Sequence, residues 1–266
     1  MKQLGRMFRM HRIFISQDLK RMMEYKGDFI SGVVGFLFSQ IFSLLFLWII
    51  FSQIPSLMGW SFLQIVFIYG FSLIPKSIDH LFFDNLWGIG YWIVRKGDLD
   101  KYLTRPINPL FHVMVEKFQV DAFGELIVGL ALIITTLPQL SISWSVQKVM
   151  LILLVIPFAS LIYTSIKIAT SAISFWTKQS GTITYMLYMV NDFAKYPTTI
   201  YNCFVKTFIT FIVPFAFTAF YPANYFLTGE NPWFNIGLTI LICIVLFSIS
   251  VCIWNTGIRA YESAGS

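Results

Sequence analysis

FISGVVGFLFSQIFSLLFLWIIFS, residues 29–52, runs from Phe29 to Ser52 without one charged side chain. A bilayer core about 30 Å thick needs roughly 20 apolar residues in a helix, so this stretch spans a membrane. The rest of the chain has the same character. Of its 266 residues 57% are hydrophobic and only 12% are charged, against roughly 25% charge in a soluble domain. With 28 Phe, 12 Tyr and 8 Trp the apolar surface is too large for a water-soluble fold to hide, and the same content excludes disorder.

Five further apolar runs follow, at 62–83, 119–138, 147–170, 204–221 and 234–256. The second carries Lys76 and Asp79 near its far end and the third carries Asp121 and Glu125 near its start. Lys167 interrupts the fourth late; Lys206 and Pro214 lie in the fifth. The expectation is an all-α integral membrane protein of one domain, 1–266: a cytoplasmic interfacial helix in 1–28, six spans within 29–256, and a cytoplasmic tail at 257–266. The basic start, MKQLGRMFRMHR, precedes too long an apolar run to be a cleavable signal.

Lys and Arg set the orientation. They crowd 1–28 and 84–118, occur in 171–203 as Lys178 and Lys195 with Lys167 and Lys206 at its flanks and in the tail as Arg259, and are absent from the 54–61, 139–146 and 222–233 loops, each of which has one Trp (Trp60, Trp144, Trp233). Both termini are therefore expected in the cytoplasm. The net charge of +6 lies in these inner loops and suits a bilayer surface, not nucleic acid. Residues 3–26 read as an amphipathic helix on the inner leaflet. Residues 178–202 read as an interfacial helix, with a re-entrant stretch as the alternative, and 221–233 as an aromatic outer loop, with a dip into the outer leaflet as the alternative.

Chemistry is sparse. Cys203, Cys243 and Cys252 sit in apolar runs, and His11, His80 and His112 are far apart, so neither a disulfide framework nor a metal site is expected. No phosphate loop, HExxH or GxSxG occurs, so the chain is expected to bind no ATP itself and to catalyse nothing. Lys76 and Asp79, three apart on one helical face, are expected to neutralise each other. Asp121 and Glu125 share a second face, and the four form an intramembrane polar cluster: either local ion pairing or the lining of an inner gate. No acid falls near mid-bilayer in this reading, which weakens a proton-driven mechanism.

The loop NLWGIGYWIVRKGDLDKYLTRPINPLF, 85–111, is the most informative piece. Asp98 is placed to cap a short helix after Arg95, Lys96 and Gly97. That helix carries Leu99, Tyr102 and Leu103 on one stripe beside Asp100, and Arg105-Pro106 ends it. Asn108 and Pro109 lead back to the third span. With MEYKGDF (Met23–Phe29), Gly59-Trp60-Ser61, VRKGDLDKYLTRPINPLF (Val94–Phe111) and RAYESAGS (Arg259–Ser266), the chain resembles an ABC-2 type transporter permease, in the branch of small six-span bacterial proteins. The resemblance implies a type V exporter-like architecture in the bacterial cytoplasmic membrane. It also implies pairing with a second permease chain, identical or distinct, and two copies of a cytoplasmic ATPase that hold the ATP and Mg. The 84–118 loop would be the coupling element, and the cargo an amphipathic, lipid-like, peptide or antibiotic molecule leaving the cell. An ion-gradient carrier and a non-transporting immunity or sensor protein are the competing readings.

Overall fold

The computed structural model describes residues 14–18, 20, 24, 26–143 and 145–263. Most of the expected 3–26 interfacial helix, Trp144 and residues 264–266 lie outside them; of the former, 14–18 are helical. Every long element among the described residues is a helix and no strand occurs among them; an isolated bridge joins Leu57 and Trp60.

Among the described residues five helices are long and apolar enough to cross a bilayer. They comprise α1 (Lys26–Gln53), α2 (Phe62–Phe83), α5 (Phe123–Thr136, extended by short turns), α6 (Val146–Ala172) and α10 (Leu238–Ala260). Between α2 and α5 come the short helices α3 (Asp100–Leu103) and α4 (Pro109–Val115). Sequence explains the starts. Ser61 caps α2 in a reciprocal box with Gln64, Ser145 accepts from the Lys148 amide, and Asn108 caps α4 with Pro109 at its first position.

Packing uses small residues where backbones meet. On α2, Gly70 faces Gly129 of α5; a Cβ on Gly129 would lie 2.9 Å from the Gly70 carbonyl oxygen. In a bilayer, such close approach supplies the dispersion contact that solvent exclusion supplies in water. A large apolar core joins α2 and α6 to the segments between α6 and α10. By contrast α1 stands apart, with Phe38, Phe42, Phe46 and Trp48 exposed and only Gln40 and Leu47 buried among its described side chains. Gln40 accepts a hydrogen bond from Tyr69 of α2.

Two expectations fail between α6 and α10. The segment 178–202 is not interfacial. It starts where the Ser180 amide donates to Gly90 O (2.9 Å), at the end of the molecule that carries the 84–118 loop. It continues as α7 (Gly181–Met189) and short turns over Val190–Lys195 and Thr198–Ile200. Along the way Tyr188 meets Asp79 and His80, Asn191 meets Tyr163, and Lys195 lies 5.6 Å from the Tyr69 ring centre. It ends where Trp60 Nε1 donates to Thr199 Oγ1 (2.9 Å), in the α1–α2 loop at the opposite end. This is the fifth crossing, antiparallel to α2. Hydropathy misses it because Asn191, Asp192 and Lys195 interrupt it, yet each is answered inside the protein; Lys195 Nζ lies 2.7 Å from Asp192.

The run 204–221, expected as the fifth span, is instead half of a re-entrant hairpin. α8 (Cys203–Thr207) and a following turn to Ile212 descend from Thr199, and the chain breaks at Val213-Pro214, since a residue before proline is pushed out of helix. Phe215 at the tip packs 5.1 Å from Tyr163. α9 (Phe220–Thr228) then climbs back past Phe71 and stops at Gly229, φ 73°. The 221–233 loop thus dips inward, with Tyr221, Ala223 and Phe226 buried. Lys195 and Lys206 therefore do not belong to the basic end; Lys206 shares a cavity with Trp60 at the opposite end.

Candidate functional site

The 84–118 loop is a folded platform, and two of the three residues of its expected docking stripe face inward. Leu99 and Tyr102 are both 0% exposed, packed in a core with Ile89, Val113, Ile168 and Trp254. Leu103, 41% exposed, is the one member of the stripe left outside. Asp98 does not cap the helix. Gly97, at φ 77°, turns the chain, α3 begins at Asp100 with no side-chain cap, and Asp98 points to solvent. Arg95, Lys96, Lys101, Thr104, Arg105, Pro106 and Asn108 complete the exposed rim, while Pro109 opens α4 half-buried.

Polar bonds fix this platform. Tyr102 donates to Glu116, which also takes Lys101 at 3.3 Å, and Asn85 donates to Val113 O (2.8 Å). Burial, with the Glu116 carboxylate, keeps the Tyr102 hydroxyl protonated far above its ordinary range. Arg105 Nη1 lies 3.1 Å from His112 Nε2. As guanidinium only donates, that nitrogen accepts and the ring is neutral. Burial holds His112 below its ordinary pKa of 6.5, and the Arg105 and Lys101 charges add to this against the opposite pull of Glu116. The Phe118 amide donates to Asp18 (2.7 Å) and Ser263 donates to Asp100 (2.6 Å). At the platform's inner edge Gly90 meets Gly181, the foot of the fifth crossing; a Cβ on Gly90 would sit 3.2 Å from the Gly181 Cα.

Above the platform lies the charge network, and its pairing differs from the expected one. Lys76 does not pair with Asp79. Its Nζ is 3.4 Å from Glu125 on α5, which also takes His80 Nδ1 at 3.0 Å. Asp79, 0% exposed, pairs with the equally buried Lys167 of α6 at 2.8 Å, and Lys167 lies 3.6 Å from Asp84. Asp79 accepts from Thr164 at 2.8 Å and from Tyr188 at 3.4 Å. Side chains three apart on a helix project partly to different neighbours, and an oppositely charged group on a packed helix offers a drier partner than an adjacent turn. Asp121, expected in the cluster, is exposed, with Gln119 Nε2 at 3.5 Å as its polar contact. Sequence reading missed His80, Tyr188, Asn191 and Tyr163 as members. The i, i+1 pair Asp79-His80 beside a lone Lys167 in an apolar run was the available signal.

A half-open cavity of about 390 Å³ adjoins this network, between α1 at Gly32 and Phe36, the end of α2, the start of α5 and Tyr185 and Tyr188 of the fifth crossing. A second, of about 490 Å³, lies at the opposite end between the hairpin and the start of α10. No group of three candidate metal ligands occurs among the described residues. The arrangement offers binding and mechanical linkage: a basic-rimmed platform, a crossing seated on it, and a charge network tying that crossing to α2, α5 and α6.

Comparison with known proteins supplies the family. None of the curated proteins and none of the solved structures matches the chain. The family described as ABC-2 family transporter protein matches residues 37–265, which takes in α2, the platform, the fifth crossing, the hairpin and α10. With that match covering most of its length, this multi-pass membrane chain belongs to the ABC-2 family of transporter proteins.

Proposed function

We propose that the chain is one of two permease chains of an exporter driven by a separate cytoplasmic ATPase, with the 84–118 platform as the docking element. The observation that carries this reading is the platform's construction. Its interior residues Leu99 and Tyr102 are locked into the bundle, Leu103, Arg105 and Pro106 form an outward ridge, and its Gly90 bears the foot of the fifth crossing. A push on the ridge enters a membrane crossing directly. Arg95, Lys96, Lys101, Arg105, Lys117, Lys178 and Arg259 gather at this end, which supports a cytoplasmic position for it and for the C-terminal tail in a bacterial inner membrane. ATP and Mg stay on the ATPase. Closure of the ATPase pair shifts the platforms, and the two permeases rearrange around a shared cavity. In a test, Leu103→Ala with Arg105→Ala should lose ATPase copurification and ATP-dependent export by tenfold or more, because central anchors dominate docking at about 2 kcal/mol each. Folded yield should fall only modestly, since Leu103 is exposed and loss of the Arg105 bond to His112 costs about 1–3 kcal/mol. Full export by this variant would refute the docking role, and export without ATP would favour an ion-gradient carrier.

A further inference from the structure

The cavity of about 390 Å³ beside the charge network falls in the size range of small-molecule sites, ~300–1,000 Å³. Its lining combines two chemistries. Asp84, Asp121 and Glu125 contribute carboxylates; Trp87, Tyr185 and Tyr188 contribute rings, with Trp87 set edge-on to Tyr188 at 5.4 Å. The charges do not balance. Lys76 and His80 answer Glu125, and Lys167 is divided between Asp79 and Asp84 at 2.8 and 3.6 Å. Asp121 has no cationic partner among the described residues. Four carboxylates thus face two lysines and one histidine. A negative surplus next to electron-rich ring faces, partly sheltered from water, attracts a cation by charge and by the ring quadrupole together.

The same helix face continues inward. Beyond Tyr185 the exposed residues are Met186, Met189 and Phe193, with Asp192 among them, its side chain 51% exposed. Met and aromatic side chains adapt to varied apolar shapes. Asp192 pairs with Lys195 at 2.7 Å, so it adds polarity but no net charge to this face.

We propose that this cavity is a binding site for cationic amphiphiles, holding an amine or onium head on Asp121 and the Trp87 and Tyr185 rings while the apolar remainder lies along the fifth crossing; the Tyr188 ring is already stacked on His80 at 5.7 Å. The assignment deepens the permease reading and rests on it for the direction of movement; binding alone does not require an ATPase. The probe is tetraphenylphosphonium, whose anionic isostere is tetraphenylborate. Tritiated probe is titrated onto the purified full-length chain in phosphatidylcholine nanodiscs, with displacement by excess cold probe. The expected result is saturable, displaceable binding of the phosphonium, none of the borate, and affinity lowered about tenfold by Asp121→Asn and about fivefold by Tyr185→Ala. Both side chains are exposed, so both variants should fold with wild-type melting behaviour. No saturable phosphonium binding, equal saturable binding of the two isosteres, or phosphonium affinity within twofold of wild type in both variants would overturn the proposal. Loss of ATPase copurification in the Leu103/Arg105 variant with retained phosphonium binding separates failure of coupling from failure of this site.

Discussion

Lys167 and Asp79 are 2.8 Å apart and both fully buried, so removing one should expose the cost of isolating the other. In Lys167→Met the cation closest to Asp79 is lost, and the carboxylate keeps only the Thr164 and Tyr188 hydroxyls at 2.8 and 3.4 Å. An uncompensated buried charge costs about 3–5 kcal/mol, a change in the folded fraction on the order of a hundredfold or more. Asp79→Asn is milder, at about 2 kcal/mol, because Lys167 retains Asp84 at 3.6 Å. The double variant should regain about 1–2 kcal/mol over Lys167→Met, with a coupling energy of roughly 3 kcal/mol. Lys76→Met with Asp79→Asn should be additive, since Lys76 pairs with Glu125 at 3.4 Å. Unfolding in mixed micelles of increasing SDS fraction, followed by tryptophan fluorescence, gives all six stabilities. If the Lys167/Asp79 double falls at the sum of its singles while the Lys76/Asp79 double recovers, the pairing described here is wrong.

Leu99→Ala should cost about 2–5 kcal/mol and lower folded yield, because Leu99 is 0% exposed, whereas Leu103→Ala should leave yield unchanged; fluorescence-detected size exclusion reads both. Cys203, exposed at the start of the re-entrant hairpin, should react with an impermeant maleimide in intact cells carrying Cys243→Ser and Cys252→Ser, and labelling only after permeabilisation would return 178–202 to the cytoplasmic side. With His112 held below its ordinary pKa of 6.5, the unfolded chain binds the extra proton first. Stability should therefore be full above about pH 6.5 and decline as pH falls below it, and His112→Gln should flatten that slope in pH-dependent melts.

Five crossings were legible because their apolar runs exceed the bilayer thickness without help from neighbours. The fifth was not. TITYMLYMV is short, and what completes the crossing is tertiary: Asn191 on Tyr163, Lys195 on Asp192 and over Tyr69. Conversely, 204–221 has the hydropathy of a span, and only the break at Pro214 hinted that it folds back. At the docking loop, spacing placed Leu99, Tyr102 and Leu103 on one helix but cannot say which side of a four-residue helix the bundle claims. The polar cluster was found by composition and mispaired by periodicity. Lys76 and Asp79 are near in sequence, while the drier partners Glu125 and Lys167 arrive from other helices.

The polar fifth crossing also bears on how the chain enters its membrane. A charged residue near the centre of a helix opposes insertion by about 2.5–3.5 kcal/mol, so a segment with Asp192 and Lys195 is a poor candidate for release into lipid on its own. The groups that receive it, Tyr69 on α2 and Tyr163 on α6, are both earlier in the chain and emerge from the ribosome first. Biogenesis then has a required order. The receiving helices assemble, the fifth crossing enters as a tertiary folding step against them, and the hairpin closes behind it. A lesion at Tyr163 would in that case surface as a defect of insertion, with Cys203 stranded on the side where synthesis takes place.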